Sequence, residues 1–189
     1  MKKIFLIIGA PGSGKTTDAE LIAQKHTNII HYSTGDMFRA EVTSKSERGK
    51  IIDSFVSKGN LVPIEIVIET ITQAIKKAPK DIILIDGYPR SEEQMLELDK
   101  YLETDDSVKL VNVIEVKVSD ETARLRVLGR ARGADDNEKV FLNRMEVYKN
   151  PLNDIQDFYT NHNILHCISG EESIEAVVEN LDNFIHTKI

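Results

Sequence analysis

The chain has 189 residues, the length of one ordinary domain, with 41% hydrophobic and 29% charged residues, ten glycines and five prolines. That balance excludes a disordered, collagen-like or low-complexity chain, and a single cysteine excludes an internal disulfide or a cysteine-rich zinc site. A net charge of −7 argues against a broad nucleic-acid surface. The longest apolar run near the start is far shorter than a membrane span or a signal-peptide core, so the chain reads as a soluble cytoplasmic protein.

In chain order, residues 4–8 (Ile-Phe-Leu-Ile-Ile) are apolar without alternation, which predicts a strand covered on both faces. A glycine-rich turn follows, then a helix over 15–26. Further strands are predicted at 29–32, 82–85, 111–118 and 164–168. In the last of these, Cys167 reads as a small core side chain. Helix-period segments fill the gaps at 35–44, 48–58, 64–77, 92–103, 119–129, 137–149, 151–161 and 173–187. Strands separated by helices predict an α/β fold, a five-stranded parallel sheet with helices on both faces. Two stretches interrupt the alternation. Residues 34–63 read as a helical insertion, and residues 129–136 as a short polar, glycine-containing connection between two helices.

Gly9-Ala10-Pro11-Gly12-Ser13-Gly14-Lys15-Thr16 matches G-x-x-x-x-G-K-[ST] at every fixed position, between a predicted strand and a predicted helix. Glycines let the backbone curl so that successive N–H groups face phosphate oxygens, and the helix N-terminus adds partial positive charge. Lys15 is placed to reach the outer phosphates and the Thr16 hydroxyl to meet Mg²⁺. Asp86 ends the apolar strand 82–85, where a carboxylate holds Mg²⁺ through water. No segment of the kind that reads guanine in GTPases is found, which favours ATP as donor. The five histidines show no shared metal-ligand spacing and read as solvated or core residues.

Beyond the phosphate loop, six segments occur in one order and spacing: 9–17, Ser33-Thr34-Gly35-Asp36-Met37-Phe38-Arg39, Gly59-Asn60-Leu61-Val62-Pro63, Asp86-Gly87-Tyr88-Pro89-Arg90 with Gln94, Arg126-Val127-Leu128-Gly129-Arg130, and Asp135-Asp136-Asn137-Glu138 with Arg144 and Tyr148. Together they resemble the adenylate kinase family of nucleoside monophosphate kinases, over nearly the whole chain. The resemblance implies a P-loop NTPase fold with a core at 1–33, 64–128 and 137–189, an AMP-binding insertion at 34–63 and a short lid at 129–136. It implies reversible transfer of the γ-phosphoryl group of Mg·ATP to AMP, giving two ADP.

Such a reaction brings two polyanions together, so an acidic chain must concentrate its cations. Only eight arginines are present, four of them within 124–132. By resemblance, Lys15, Arg90, Arg130 and Arg144 carry the catalysis. Gly12, Ser13, Gly14, Lys15, Thr16, Thr17, Arg126, Arg130, Gly170 and Glu172 hold ATP, Arg126 against the adenine. Thr34, Arg39, Asn60, Leu61, Val62, Gly87, Tyr88, Pro89, Arg90, Gln94, Arg132 and Arg144 hold AMP. Thr16 and Asp86 serve Mg²⁺, with Asp86 acting through water. Arg48 and Arg124 read as surface charges. Thr34 and Gln94 match the family's AMP kinases, whereas the related UMP/CMP kinases carry Ala and Asn there.

The chain departs from the family pattern in several places. Thr16 stands where the family has Gly after the lysine. The lid lacks the metal ligands of long-lid relatives, so no zinc is expected. Gly133 replaces an arginine, with Arg132 one position earlier. Ile64 stands where Asp is common, leaving a helix start poorly capped. Partners are expected to be ATP, AMP and ADP, with no nucleic acid or membrane, and the chain is expected to be a monomer because each pocket is complete within it. The alternatives are a UMP/CMP kinase and a nucleotide sensor without turnover.

Overall fold

The computed structural model of the protein describes residues 1–130 and 136–189. Five strands, β1 (Lys2–Ile8), β2 (Ile29–Ser33), β3 (Ile82–Asp86), β4 (Val108–Lys117) and β5 (Leu165–Ser169), form one parallel sheet in the order β2-β3-β1-β4-β5. The helices are α1 (Lys15–Lys25), α2 (Thr34–Thr43), α3 (Glu47–Val56), α4 (Ile64–Lys77), α5 (Glu92–Thr104), α6 (Asp120–Arg130), α7 (Glu138–Lys149), α8 (Leu152–Asn161) and α9 (Ile174–His186). The expected α/β parallel sheet is present, and each predicted strand and helix has its counterpart.

The unbroken apolar run of β1 is explained by its two covered faces. Ile4, Leu6 and Ile8 join Ile83 and Ile85 against Val67, Ile71 and Ile75 of α4 and Met95 and Leu98 of α5. Phe5 and Ile7 join Leu84, Ile114 and Val116 against Ala19 and Ile22 of α1 and Leu181 and Ile185 of α9. Each of these buried Leu, Ile and Phe side chains contributes about 1.5–3 kcal/mol. A smaller cluster, Ala10, Ala123, Val127, Phe141 and Met145, seats α6 and α7 beside the glycine-rich turn.

Strand β4 starts three residues before the predicted 111, because Val108, Lys109 and Leu110 pair with Lys2, Lys3 and Ile4 before a register shift. Strand β5 lies at the sheet edge, and there the reading of Cys167 is corrected: its side chain is exposed, not core. An edge strand is paired on one side only, and the segment's apolar composition does not reveal that position. Serines at 33, 46, 91 and 173 and Asn137 cap their helices by accepting a backbone N–H. Helix α4 has no side-chain cap, as expected, but the reason is that its N-cap position is Pro63, which has no side-chain acceptor, with Ile64 already the first helical residue. Among the described residues, no helix is long and apolar enough to cross a membrane.

Chain connections run from β1 to β2 on one side and from β3 across to β4 on the other. The C-terminal edge of β1 is therefore a switch point, where a crevice opens in parallel sheets. Registers Ile7↔Asp86 and Ser33↔Asp86 bring the ends of β1, β2 and β3 together at that crevice.

The burial of the tyrosines bears on stability at alkaline pH. Burial pushes the phenols of Tyr32, Tyr88, Tyr101, Tyr148 and Tyr159 above their ordinary value of 10.0, Tyr101 to about 12. A raised phenol supplies stability that is complete below the unfolded value and lost as pH rises through the folded one. Phenolate absorbance is expected to stay flat through pH 10 and then rise together with loss of helical circular dichroism. Five phenols titrating near 10 in the folded protein would contradict this burial.

Candidate active site

Residues 9–14 turn out of β1 and feed α1, whose N-terminus faces the crevice. Gly12 has φ +82°, and a Cβ there would lie 2.5 Å from the Ala123 carbonyl oxygen. The loop can approach α6 so closely only with glycine at that position. Lys15 is half-buried and donates to the Ala10 carbonyl at 3.1 Å. Burial pushes its ammonium down to about 8; Asp86 opposes the shift, while Arg90, Arg130 and Arg144 add to it. Those three guanidinium groups therefore lie within electrostatic reach of one ammonium.

Three clefts adjoin here. The first is lined by Gly12, Ser13, Gly14, Lys15, Thr16, Thr17, Asp18, Arg126, Arg130, Gly170 and Glu172, with Ile174 and Val177. It brings together every residue expected to hold ATP. Arg126 spans it, donating to the Gly170 carbonyl at 2.9 Å and to the Ser13 carbonyl at 3.4 Å.

The second cleft is lined by Thr34, Asn60, Leu61, Val62, Gly87, Arg90, Gln94 and Arg144, with apolar walls from Phe38, Val56 and Val67. These are residues expected to hold AMP. Between the two lies a central cleft that shares Lys15, Thr16 and Arg130 with the first and Arg90 and Arg144 with the second, and adds Arg39, Asp86 and Pro89. The arrangement is two pockets meeting over a cation-lined middle.

The loop after β3 is tightly specified. Gly87 has φ +75°, and a Cβ there would lie 2.6 Å from both Arg90 Nη2 and Thr34 Oγ1. Thr34 Oγ1 donates to the Asp86 and Gly87 carbonyls, each at 3.0 Å. Arg90 Nε donates to the Gly87 carbonyl at 2.6 Å, and Arg90 N–H donates to Gln94 Oε1 at 2.8 Å. The Tyr88–Pro89 peptide is cis. Tyr88 lines none of the three clefts; its ring is fully buried in the core, and its hydroxyl donates to the Gln94 carbonyl. Flanking a site residue in sequence does not place a side chain on the site's side of the loop.

Arg130 forms a fork on the buried carboxylate of Asp136, Nε at 3.0–3.1 Å and Nη2 at 2.8 Å, and Arg144 Nη1 lies 3.9 Å from the same carboxylate. Arg39 pairs with Asp36. Arg48 pairs with Glu69 and Arg124 with Glu138, both away from the clefts. Arg132 and most of the expected lid, residues 131–135, lie outside the described residues.

Thr16 and Asp86, the expected Mg²⁺ residues, meet: Thr16 Oγ1 donates to Asp86 Oδ1 at 3.0 Å. A hydroxyl and a carboxylate at the mouth of a phosphate loop are hard oxygen donors, the type Mg²⁺ prefers, so these residues fit the ion. Burial works against the Asp86 charge, but His31, Lys15 and Thr16 overcome it and hold the carboxyl below its ordinary value.

Two residues that spacing alone did not single out belong to this site. His31 Nε2 bonds Asp86 Oδ2 at 2.6 Å, orienting that carboxylate from the neighbouring strand. No local pattern in β2 aims His31 at Asp86; only the register of β2 on β3 does. Asp18 is 2% exposed, and its Oδ2 has no hydrogen-bond partner among the described residues. Burial pushes its carboxyl up to about 7, against the pull of Arg126 and Lys15. No motif position marks Asp18.

The comparisons agree with this geometry. The sequence profile of the family described as Adenylate kinase matches residues 7–164. The chain is 66% identical over 186 residues to an adenylate kinase of Campylobacter lari, covering 98% of each chain. It is 64% identical to one of Wolinella succinogenes and 62% identical to one of Helicobacter hepaticus, each with full coverage of both chains. A cation-lined seam between two pockets, a phosphate loop at the sheet's switch point and full-length similarity lead to one family: the chain belongs to the adenylate kinases.

Proposed function

We propose that Lys15, Arg39, Arg90, Arg130 and Arg144 clamp the facing phosphates of two nucleotides, ATP in the first cleft and AMP in the second. The chain is a nucleoside monophosphate kinase that converts ATP and AMP to two ADP. The observation that carries the division of roles is the central cleft, whose cations are shared with both pockets.

In this reading, the backbone of residues 12–17 cradles the donor phosphates at the α1 N-terminus. Arg126 lays its guanidinium on the ATP adenine, beside the Gly170 carbonyl that it already contacts. Arg39 and Arg90 hold the AMP phosphate, whose oxygen is the nucleophile and is already ionised, so no general base is required. Asn60, Leu61 and Val62 flank the AMP base, and Thr34 fixes the wall formed by Gly87. Arg130 and Arg144 face the transferred group from the lid side, and Asp136 holds them near each other until substrate binds. Transfer is then in-line, and the protein supplies position and positive charge. Mg²⁺, when bound near Thr16 and Asp86, neutralises charge on the donor phosphates.

The work divides among a core at 1–33, 64–128 and 137–189, an AMP-binding insertion at 34–63 and a short lid at 129–136. Both pockets are lined from one chain, which supports a monomer. The acidic balance and the lack of a spanning helix among the described residues support a cytoplasmic enzyme acting on free nucleotides.

A coupled assay for ADP tests the reading. ATP with AMP is expected to turn over with Mg²⁺ and to fall to background when the cation is chelated. Binding of both nucleotides without ADP formation would assign the chain to sensing instead.

A further inference from the structure

A second group of ligating side chains lies away from the phosphate cleft. Helix α1 begins at the phosphate loop with Lys15, and His26 follows its last residue, about 16 Å further along the helix axis. There α1 packs on α9. Asp182 and His186 stand four residues apart on α9, on one face of the helix. The three ligand atoms, one from each of His26, Asp182 and His186, all lie within 4.8 Å of one another.

The geometry is close to that of a bound cation. His26 Nε2 lies 2.8 Å from Asp182 Oδ1, and His186 Nδ1 lies 3.0 Å from the same oxygen and 2.9 Å from the Asp182 backbone carbonyl oxygen, a contact that metal binding would replace. The imidazole rings are 4.5 Å apart between centroids. Donors around a tetrahedral Zn²⁺, with bonds of about 2.0–2.1 Å, are about 3.3 Å apart. Each histidine nitrogen would move a few tenths of an ångström away from Asp182 Oδ1 to reach that spacing, and the two nitrogens start within 4.8 Å of each other. Two imidazoles and a carboxylate are a donor set for borderline divalent ions and a poor one for Mg²⁺. Asp182 is 4% exposed, while the His186 side chain is 44% exposed, so a fourth position is open to water.

Lys25 is the one competing cation described at the carboxylate, its Nζ 2.7 Å from Oδ2. It takes Oδ2, which His26 Nε2 also approaches at 3.0 Å, and its side chain is 61% exposed, so it can move into solvent. Nothing in the phosphoryl-transfer reaction uses this cluster.

We propose that His26, Asp182 and His186 form a metal site for a borderline divalent cation such as Zn²⁺ or Co²⁺, joining the end of α1 to α9. The metal takes the place of the imidazole protons shared with Asp182, and its binding free energy adds to the stability of the core.

The test uses the full chain without nucleotide. Near-stoichiometric Zn²⁺ is expected to raise the melting temperature by about 5 °C or more, with Mg²⁺ at the same concentration giving no such rise. Co²⁺ is expected to give visible ligand-field absorption at one equivalent. Both signals should vanish in His26→Gln and in His186→Gln, whose circular dichroism reports that they remain folded. Zn²⁺ without effect on the melting temperature would overturn the proposal. So would a shift and a Co²⁺ spectrum unchanged in both variants, leaving the cluster as a hydrogen-bond tie between two helices.

Discussion

Arg90→Ala is expected to lower kcat about 10²–10³-fold while leaving the fold intact. Arg90 occupies the seam between the central cleft and the AMP cleft. Its Nε is held by the Gly87 carbonyl at 2.6 Å, which leaves the Nη edge of the fork for phosphate. An oxygen on the acceptor phosphate gains from that edge most when charge spreads over the transferred group, so the loss falls on turnover as well as on the KM for AMP. Removing the side chain leaves Gly87 braced by Thr34, and Gln94 still receives the backbone N–H of residue 90. Arg90→Lys keeps the charge without the planar fork and is expected to lie between the two. Steady-state ADP formation by the three proteins, each with its thermal unfolding curve, checks this. Near-normal kcat in a folded Arg90→Ala protein would remove Arg90 from the clamp.

Acceptor choice is the second large effect. Gln94 is 4% exposed, and its Oε1 accepts from Arg90 N–H, which sets the amide's orientation in the AMP cleft. The free amide donor then suits the ring-nitrogen acceptor of adenine, and the second lone pair of Oε1 suits the exocyclic amine. Uracil and guanine offer a donor where adenine offers an acceptor. Cytosine has the same pattern, but on a ring too short to reach. AMP is therefore expected to exceed CMP, UMP and GMP by about 10⁴-fold in kcat/KM, the scale at which a buried polar group left unpaired rejects an analogue. Gln94→Glu keeps the acceptor for Arg90 N–H and deletes the donor. It is expected to lower kcat/KM for AMP by about 10²-fold, with melting temperature little changed. Comparable turnover of AMP and CMP by the unsubstituted protein would overturn this assignment and favour a UMP/CMP kinase.

Much of the architecture is legible in local pattern, for identifiable reasons. The runs at 4–8 and 82–85 are apolar on both faces because helices cover both sides of the sheet, and no amphipathic strand could occupy those positions. The phosphate loop is legible because its backbone geometry requires glycine at fixed spacing: a Cβ at Gly9 would lie 2.6 Å from the Val116 carbonyl oxygen, and Gly14 has φ +97°. What escapes is what depends on partners distant in the chain. His31 meets Asp86 only through the register of β2 on β3. His26 meets His186 only because α1 and α9 pack on the same face of the sheet. The exposure of Cys167 is not legible, because an apolar segment looks alike in a central and an edge strand. The inward turn of the Tyr88 side chain is not legible, because a loop residue next to Arg90 can turn either into the cleft or into the core. Asp18 escapes because the residues it meets in the first cleft, Arg126 and Gly170 among them, are distant in the chain.

The measurement that bears most directly on the shared-cation account is a crystal structure of the protein with two adenosines joined by an oligophosphate bridge. The account predicts Lys15, Arg39, Arg90, Arg130 and Arg144 within hydrogen-bond distance of that bridge, with one adenine beside Arg126 and the other beside Gln94. Adenines in other pockets, or those five side chains turned to solvent around an ordered bridge, would contradict it.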